Sequence, residues 1–124
     1  MRPKTINYKP YKKSLSTIKT EGKPGQLHWN NLEKDFLCKR VLVLSDFSDL
    51  SQFNKTRGNH SNPDCNEILF VVEGGVNISL KKDQEHHLYS CKKNNYVMIP
   101  KNYFLKIKIL SKDTICLVLC DSKR

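Results

Sequence analysis

Apolar positions along this chain come in short runs rather than in helical stripes. Phe104 to Leu110 (FLKIKIL) alternates apolar and polar residues, which predicts a strand with one dry face and one wet face. Val76 to Leu80 (VNISL) alternates in the same way. Glu67 to Val72 (EILFVV) and Thr114 to Leu119 (TICLVL) are continuous, and TICLVL is expected to be buried on both faces. Further strands are predicted over Cys38 to Ser45 (CKRVLVLS), His87 to Cys91 and Tyr96 to Ile99. Turn signals separate them: Glu73-Gly74-Gly75 after one run, and lysines with Asp83 after the next. Helical signals are nearly absent; only residues 31–37 (NLEKDFL) have room for a short turn. Short strands at even spacing predict an all-β antiparallel sandwich or barrel.

At 124 residues the chain has the length of one domain. Residues 1–25 carry Pro3, Pro10, Pro24, Gly22 and Gly25 and are expected to be an N-terminal arm or early strands. Residues 26–124 then form the barrel. Such an arm suits pairing with a neighbouring subunit, and a homodimer is expected. No run approaches the ~20 apolar residues that span a bilayer. The basic N-terminus lacks the apolar stretch of a signal peptide. A cytoplasmic protein without membrane partners is expected.

Lys and Arg number 22 against 12 Asp and Glu, a net charge of +10. That balance favours anionic partners, among them phosphorylated small molecules. The lysines are scattered, aromatics are not interleaved with them, and no nucleic-acid-binding motif appears, so nucleic acid is not the expected partner. Five cysteines without a CxxC pair read as buried free thiols. Cys116 and Cys120, four apart on a strand, share one side. His86 and His87 are adjacent, face opposite ways on a strand, and read as a surface turn. His28 beside Trp29 is isolated.

The most informative segment is Arg57-Gly58-Asn59-His60-Ser61-Asn62, followed by Glu67 and Gly74. His60-Ser61-Asn62, four residues, Glu67, six residues and Gly74 keep the spacing of the first cupin motif (HxH, three or four residues, Glu, six residues, Gly). Asn94, five residues, Pro100-Lys101-Asn102, two residues and Leu105 keep that of the second (Gly, five residues, PxG, two residues, His). Asn62 and Leu105 stand where the motifs have histidines. Asn94 and Asn102 stand where they have glycines, and Asn is the best substitute where φ must be positive. The resemblance implies a small cupin-type barrel or jelly roll. A cupin metal site takes three His and one Glu. Only His60 and Glu67 remain of that set, so neither a metal nor another cofactor is expected.

A narrower resemblance covers residues 25 to 122. Lys39-Arg40, the strand to Leu44, Asp46, the RGNH segment, Ile99-Pro100 and the closing LVLCDS resemble the cupin-type sugar 3,4-ketoisomerases that act on dTDP-4-keto-6-deoxyglucose. The family pattern has RGxHAH, a Gln near Glu67 and a closing LVLAS. The resemblance implies a dTDP-linked deoxysugar substrate and a reaction that moves a carbonyl between C4 and C3. Such a reaction needs a base of near-neutral pKa, and His60 is the candidate; a plain pocket-wall histidine is the alternative. Asn62 is a candidate donor to the sugar carbonyl or enolate oxygen. Glu67 is a candidate to orient His60 or act as a second acid. Arg57, beside Gly58, and Arg40 are candidates for the diphosphate, and Tyr103 for stacking on base or sugar. A non-catalytic nucleotide-sugar-binding cupin and a 3,5-epimerase of the same sugars stay open as alternatives.

Overall fold

The structure, a computed structural model, describes residues 8–15, 17–18, 26–27, 35–45 and 56–122, with side chains outside 17–18, 26–27 and 56–60. His28, Trp29, Asp46 and most of the NLEKDFL segment lie outside the described residues. The strands are β1 (Tyr11–Ser14), β2 (Thr17–Ile18), β3 (Gln26–Leu27), β4 (Arg40–Leu44), β5 (Thr56–Ser61), β6 (Glu67–Glu73), β7 (Gly75–Lys82), β8 (Glu85–Lys92), β9 (Asn95–Ile99), β10 (Phe104–Ile109) and β11 (Ile115–Cys120). They form a five-stranded sheet in the order β1-β9-β6-β11-β4 and a four-stranded sheet in the order β5-β10-β7-β8. β2 and β3 pair with each other. All pairings are antiparallel. This is the all-β, cupin-type architecture that the strand pattern and motif spacing predict. Among the described residues, no helix is long and apolar enough to cross a membrane.

Alternation decides which side chains enter the core. On β10, Leu105, Ile107 and Ile109 are buried while Phe104, Lys106 and Lys108 are exposed. They meet Val76, Ile78 and Leu80 of β7 and Leu69, Val71, Val97 and Val118 of the larger sheet in one core between the sheets. The larger sheet has a second buried face, where Ile68, Phe70, Tyr96 and Met98 pack under Phe36, Tyr8 and Leu15. Two covered faces explain why EILFVV and YVMI are continuous apolar runs. TICLVL is less enclosed than expected. Cys116, Val118 and Cys120 are buried, whereas Leu117 and Leu119 are half-buried and Ile115 is exposed.

β1, within the proline-bearing N-terminal stretch, pairs with β9 of its own chain and forms the outermost strand of the larger sheet. β8 begins at Glu85, so His86 and His87 lie in a strand rather than a turn. They do face opposite ways: His86 Nε2 meets Ser79 Oγ at 3.0 Å, and His87 meets Glu85.

The turns bear out the asparagine reading. Asn94 (φ 75°), Asn102 (φ 70°) and Gly74 (φ 78°) all adopt left-handed backbone. Asn102 N–H donates to Asn62 O at 2.8 Å, which ties the β9–β10 turn to the end of β5. A Cβ on Gly74 would collide with Thr114.

Candidate active site

One end of the space between the sheets opens into a cavity of about 200 Å³. Edge strand β4 contributes Arg40, Leu42 and Leu44, three alternate residues of one face. β6 contributes Glu67 and Leu69, and β10 contributes Leu105 and Ile107. Asn62, just past β5, closes one side. The wall is thus apolar with three convergent polar groups, Arg40, Asn62 and Glu67, the usual make-up of a small-molecule site.

The polar groups are held by their surroundings. Glu67 is 9% exposed. Its Oε2 accepts from the Cys120 thiol at 3.7 Å, and Cys120 Sγ accepts from Arg40 Nη2 at the same 3.7 Å. Asn62 Oδ1 accepts from the Asp64 N–H at 3.1 Å, which leaves its amide NH₂ as the group's donor. At the start of β6, Asp121 accepts from Asn66 N–H at 2.8 Å and from its Nδ2 at 2.9 Å. Asn66 Oδ1 in turn accepts from Lys101 N–H at 2.9 Å. That clamp fixes the start of β6, the end of β11 and the turn before β10 together.

β5 runs along β10 with a bulge at Asn59. Phe104 pairs with Ser61 and Leu105 with His60; then Lys106 pairs with Gly58 and Ile107 with Arg57. In a regular strand, residues three apart face opposite ways. Here the extra residue sets His60 and Arg57 opposite Leu105 and Ile107, both cavity residues. The side chains of Arg57, Asn59 and His60 lie outside the described residues, as does everything about Gly58 beyond its backbone.

Tyr103 sits elsewhere. It is 7% exposed, and its hydroxyl donates to Glu85 Oε1 at 2.9 Å. Burial, then this bond to Glu85, pushes the Tyr103 phenol up to about 12. His87 Nε2 meets the same carboxylate oxygen at 3.1 Å. Hydrogen bonds from His87 and then Tyr103 hold Glu85 below its ordinary value. Tyr103 borders a separate small cavity of about 90 Å³ with Lys82, Lys101 and Asn66. Among the described residues, no group of three His, Cys, Asp or Glu side chains has metal-binding geometry.

Of the residues the sequence singles out, the structure brings Arg40, Asn62 and Glu67 together around one cavity. The sequence reading did not single out the wall residues Leu42 and Leu44, nor Cys120, which contacts Arg40 and Glu67. The alternation of RVLVL after Arg40 carries the signal for the two leucines. The position of Cys120 opposite Glu67 in the β6–β11 ladder carries no signal in the sequence. Cys38 is exposed, contrary to expectation; the other four cysteines are buried, and all five are free.

Two antiparallel sheets with a largely apolar cavity at one end define a cupin-like fold. The chain belongs to the WxcM-like, C-terminal family (FdtA), whose family model matches residues 12–123. No curated protein sequence matches it. Several solved structures share its fold. The TDP-quinovose 3,4-ketoisomerase WlaRB from Campylobacter jejuni is 23% identical with a TM-score of 0.78, over 93% of this chain and 86% of that one. The TDP-fucose-3,4-ketoisomerase WlaRA, also from C. jejuni, is 22% identical with a TM-score of 0.76, over 94% and 84%. QdtA, a sugar 3,4-ketoisomerase from Thermoanaerobacterium thermosaccharolyticum solved in complex with TDP, is 18% identical with a TM-score of 0.75, over 96% and 85%.

Proposed function

We propose that this protein is a sugar-nucleotide isomerase, and more finely a dTDP-4-keto-6-deoxyhexose 3,4-ketoisomerase that uses His60 as its base without a metal. The observation that carries the reading is the convergence of Arg40, Asn62 and Glu67 on one apolar cavity, with His60 in register opposite its wall residue Leu105. Family membership and the shared fold of three ketoisomerases support it. Partnered residues of antiparallel strands share a face. In this reading His60 and Arg57 both serve the pocket; the β5 bulge sets their backbone positions opposite the wall residues Leu105 and Ile107.

The reaction moves a carbonyl by proton transfer alone. A base removes the C3 proton of the 4-keto sugar, giving an enediolate. A proton returned to C4, with the C3 hydroxyl proton passing to the C4 oxygen, leaves the carbonyl at C3 and a hydroxyl at C4. The imidazole of His60 is the group suited to both transfers near neutral pH. The Asn62 amide is a donor for the enediolate oxygen, and the Arg40 guanidinium adds positive charge to the same wall. The cavity, about 200 Å³, is smaller than the roughly 300–1,000 Å³ that encloses a drug-sized ligand. It suits the sugar end, with the nucleotide diphosphate toward the β5 side, where Arg57 is the candidate cation. We take the protein to act as a homodimer in the cytoplasm.

A second reading rests on Asn62, which replaces the second histidine of the family motif. A histidine-to-asparagine variant of QdtA was solved in complex with TDP-4-keto-6-deoxyglucose, so that relative holds the sugar nucleotide without one of its imidazoles. The second reading is a non-catalytic dTDP-sugar-binding protein. Incubation of the purified protein with dTDP-4-keto-6-deoxyglucose, followed by NMR, separates the two. The enzyme reading expects a 3-keto isomer from wild type and none from His60→Ala. Binding of dTDP by calorimetry with no turnover selects the second reading, and neither binding nor turnover rejects both.

A further inference from the structure

We infer that Cys120 is a positioning residue whose thiol couples Arg40 to Glu67 across the cavity wall. The inference rests on the reading above only in taking Glu67 as part of the site. Three neighbouring strands meet at this point: Cys120 of β11 is paired with Glu67 of β6 on one side and with Arg40 of β4 on the other. Two contacts of 3.7 Å run through its sulfur. Arg40 Nη2 donates to the sulfur, and the S–H donates to Glu67 Oε2. The direction is fixed by chemistry, because a guanidinium has no acceptor and an ionised carboxylate no donor.

Burial raises the Cys120 thiol above its ordinary value, so the S–H stays protonated and remains a donor across the neutral range. The thiol is fully buried. Among the described residues, the bond to sulfur is the guanidinium's one hydrogen bond, and Arg40 Nε is enclosed without a partner. Arg40 is therefore anchored through Cys120.

The consequence is a shared control of charge. A thiol donating to a carboxylate favours the ionised form, so Cys120 lowers the Glu67 pKa and keeps Arg40 close enough to do the same. Among the described residues, Cys65, which leads into β6, also acts on Glu67, and Asp121, just past the end of β11, acts on Cys65 in turn. Cys65 donates its own thiol to Asn66 O at 3.3 Å.

The test is a ¹³C-carboxyl NMR titration of ligand-free, glutamate-labelled protein, with Glu67 assigned through Glu67→Gln. Cys120→Ala is expected to raise the Glu67 pKa by at least about half a unit, and Cys120→Ser to keep it near wild type. Arg40→Gln is expected to raise it in wild type and to have a smaller effect in the Cys120→Ala background. An unchanged Glu67 pKa in Cys120→Ala, or fully additive shifts in the double variant, overturns the inference. If Cys120→Ala does not fold, Cys120→Val, similar in size and without a donor, takes its place under the same criterion. Because the titration uses no substrate, failure of the ketoisomerase reading leaves this result intact. Where turnover is present, the acid limb of the kcat/KM profile shifts upward with the Glu67 pKa in Cys120→Ala.

Discussion

In the proposed reading, Asn62 sets how the chemistry of this site differs from the family pattern. Its carbonyl oxygen is used by Asp64 N–H, so an amide donor, not a base, is what it offers the cavity. An amide stabilises a developing negative oxygen but transfers no proton. In our account a single imidazole, that of His60, carries both proton transfers. Asn62→His restores a second imidazole at the cavity wall. We predict a rise in kcat of at least about tenfold, at the low end of what a positioned acid or base contributes, measured by steady-state NMR turnover. An unchanged kcat would assign position 62 to shaping the turn rather than to the reaction.

At the scale of elements, left-handed turns and one bulge set the site. Gly74 is irreplaceable on two grounds, its φ of 78° and its contact with Thr114. Gly74→Ala is expected to cost about 3 kcal/mol in urea unfolding. Asn102→Gly, at φ 70°, is expected to stay within about 0.5 kcal/mol of wild type, and Asn102→Ala to lose about 1 kcal/mol. These turns were legible in the sequence, because glycine and asparagine at motif spacing report backbone φ directly. The alternating strand β10 was legible for a similar reason: each side chain meets either core or water. β5 was not legible as a strand, since TRGNHS has no apolar residue to mark a buried face. Its bulge depends on the register with β10, which is a property of two strands. The link from Arg40 through Cys120 to Glu67 was hidden likewise, because it joins three strands that lie far apart in sequence.

For the whole molecule, four buried free thiols make stability depend on alkaline pH. Burial pushes Cys65 and Cys116 up from 9.0 to about 12. The folded state thus prefers the protonated thiols more strongly than the unfolded chain does. Their contribution is fully present below the unfolded pKa and is lost as pH rises from about 9 toward 12. The melting temperature is expected to fall over that window, and Cys116→Ala to fall less steeply from its own neutral value. Equal slopes in a differential scanning fluorimetry series would contradict this.

The fold and the cavity serve one proposed event, transfer of a proton from C3 to C4 of a nucleotide-linked 4-keto sugar. Proton NMR of dTDP-4-keto-6-deoxyglucose incubated with the protein in D₂O observes that event directly. The account predicts loss of the C3 proton signal and growth of a 3-keto isomer carrying deuterium at C4, with neither change in His60→Ala. Persistence of the C3 proton with wild-type protein, under conditions where dTDP binds, would contradict it.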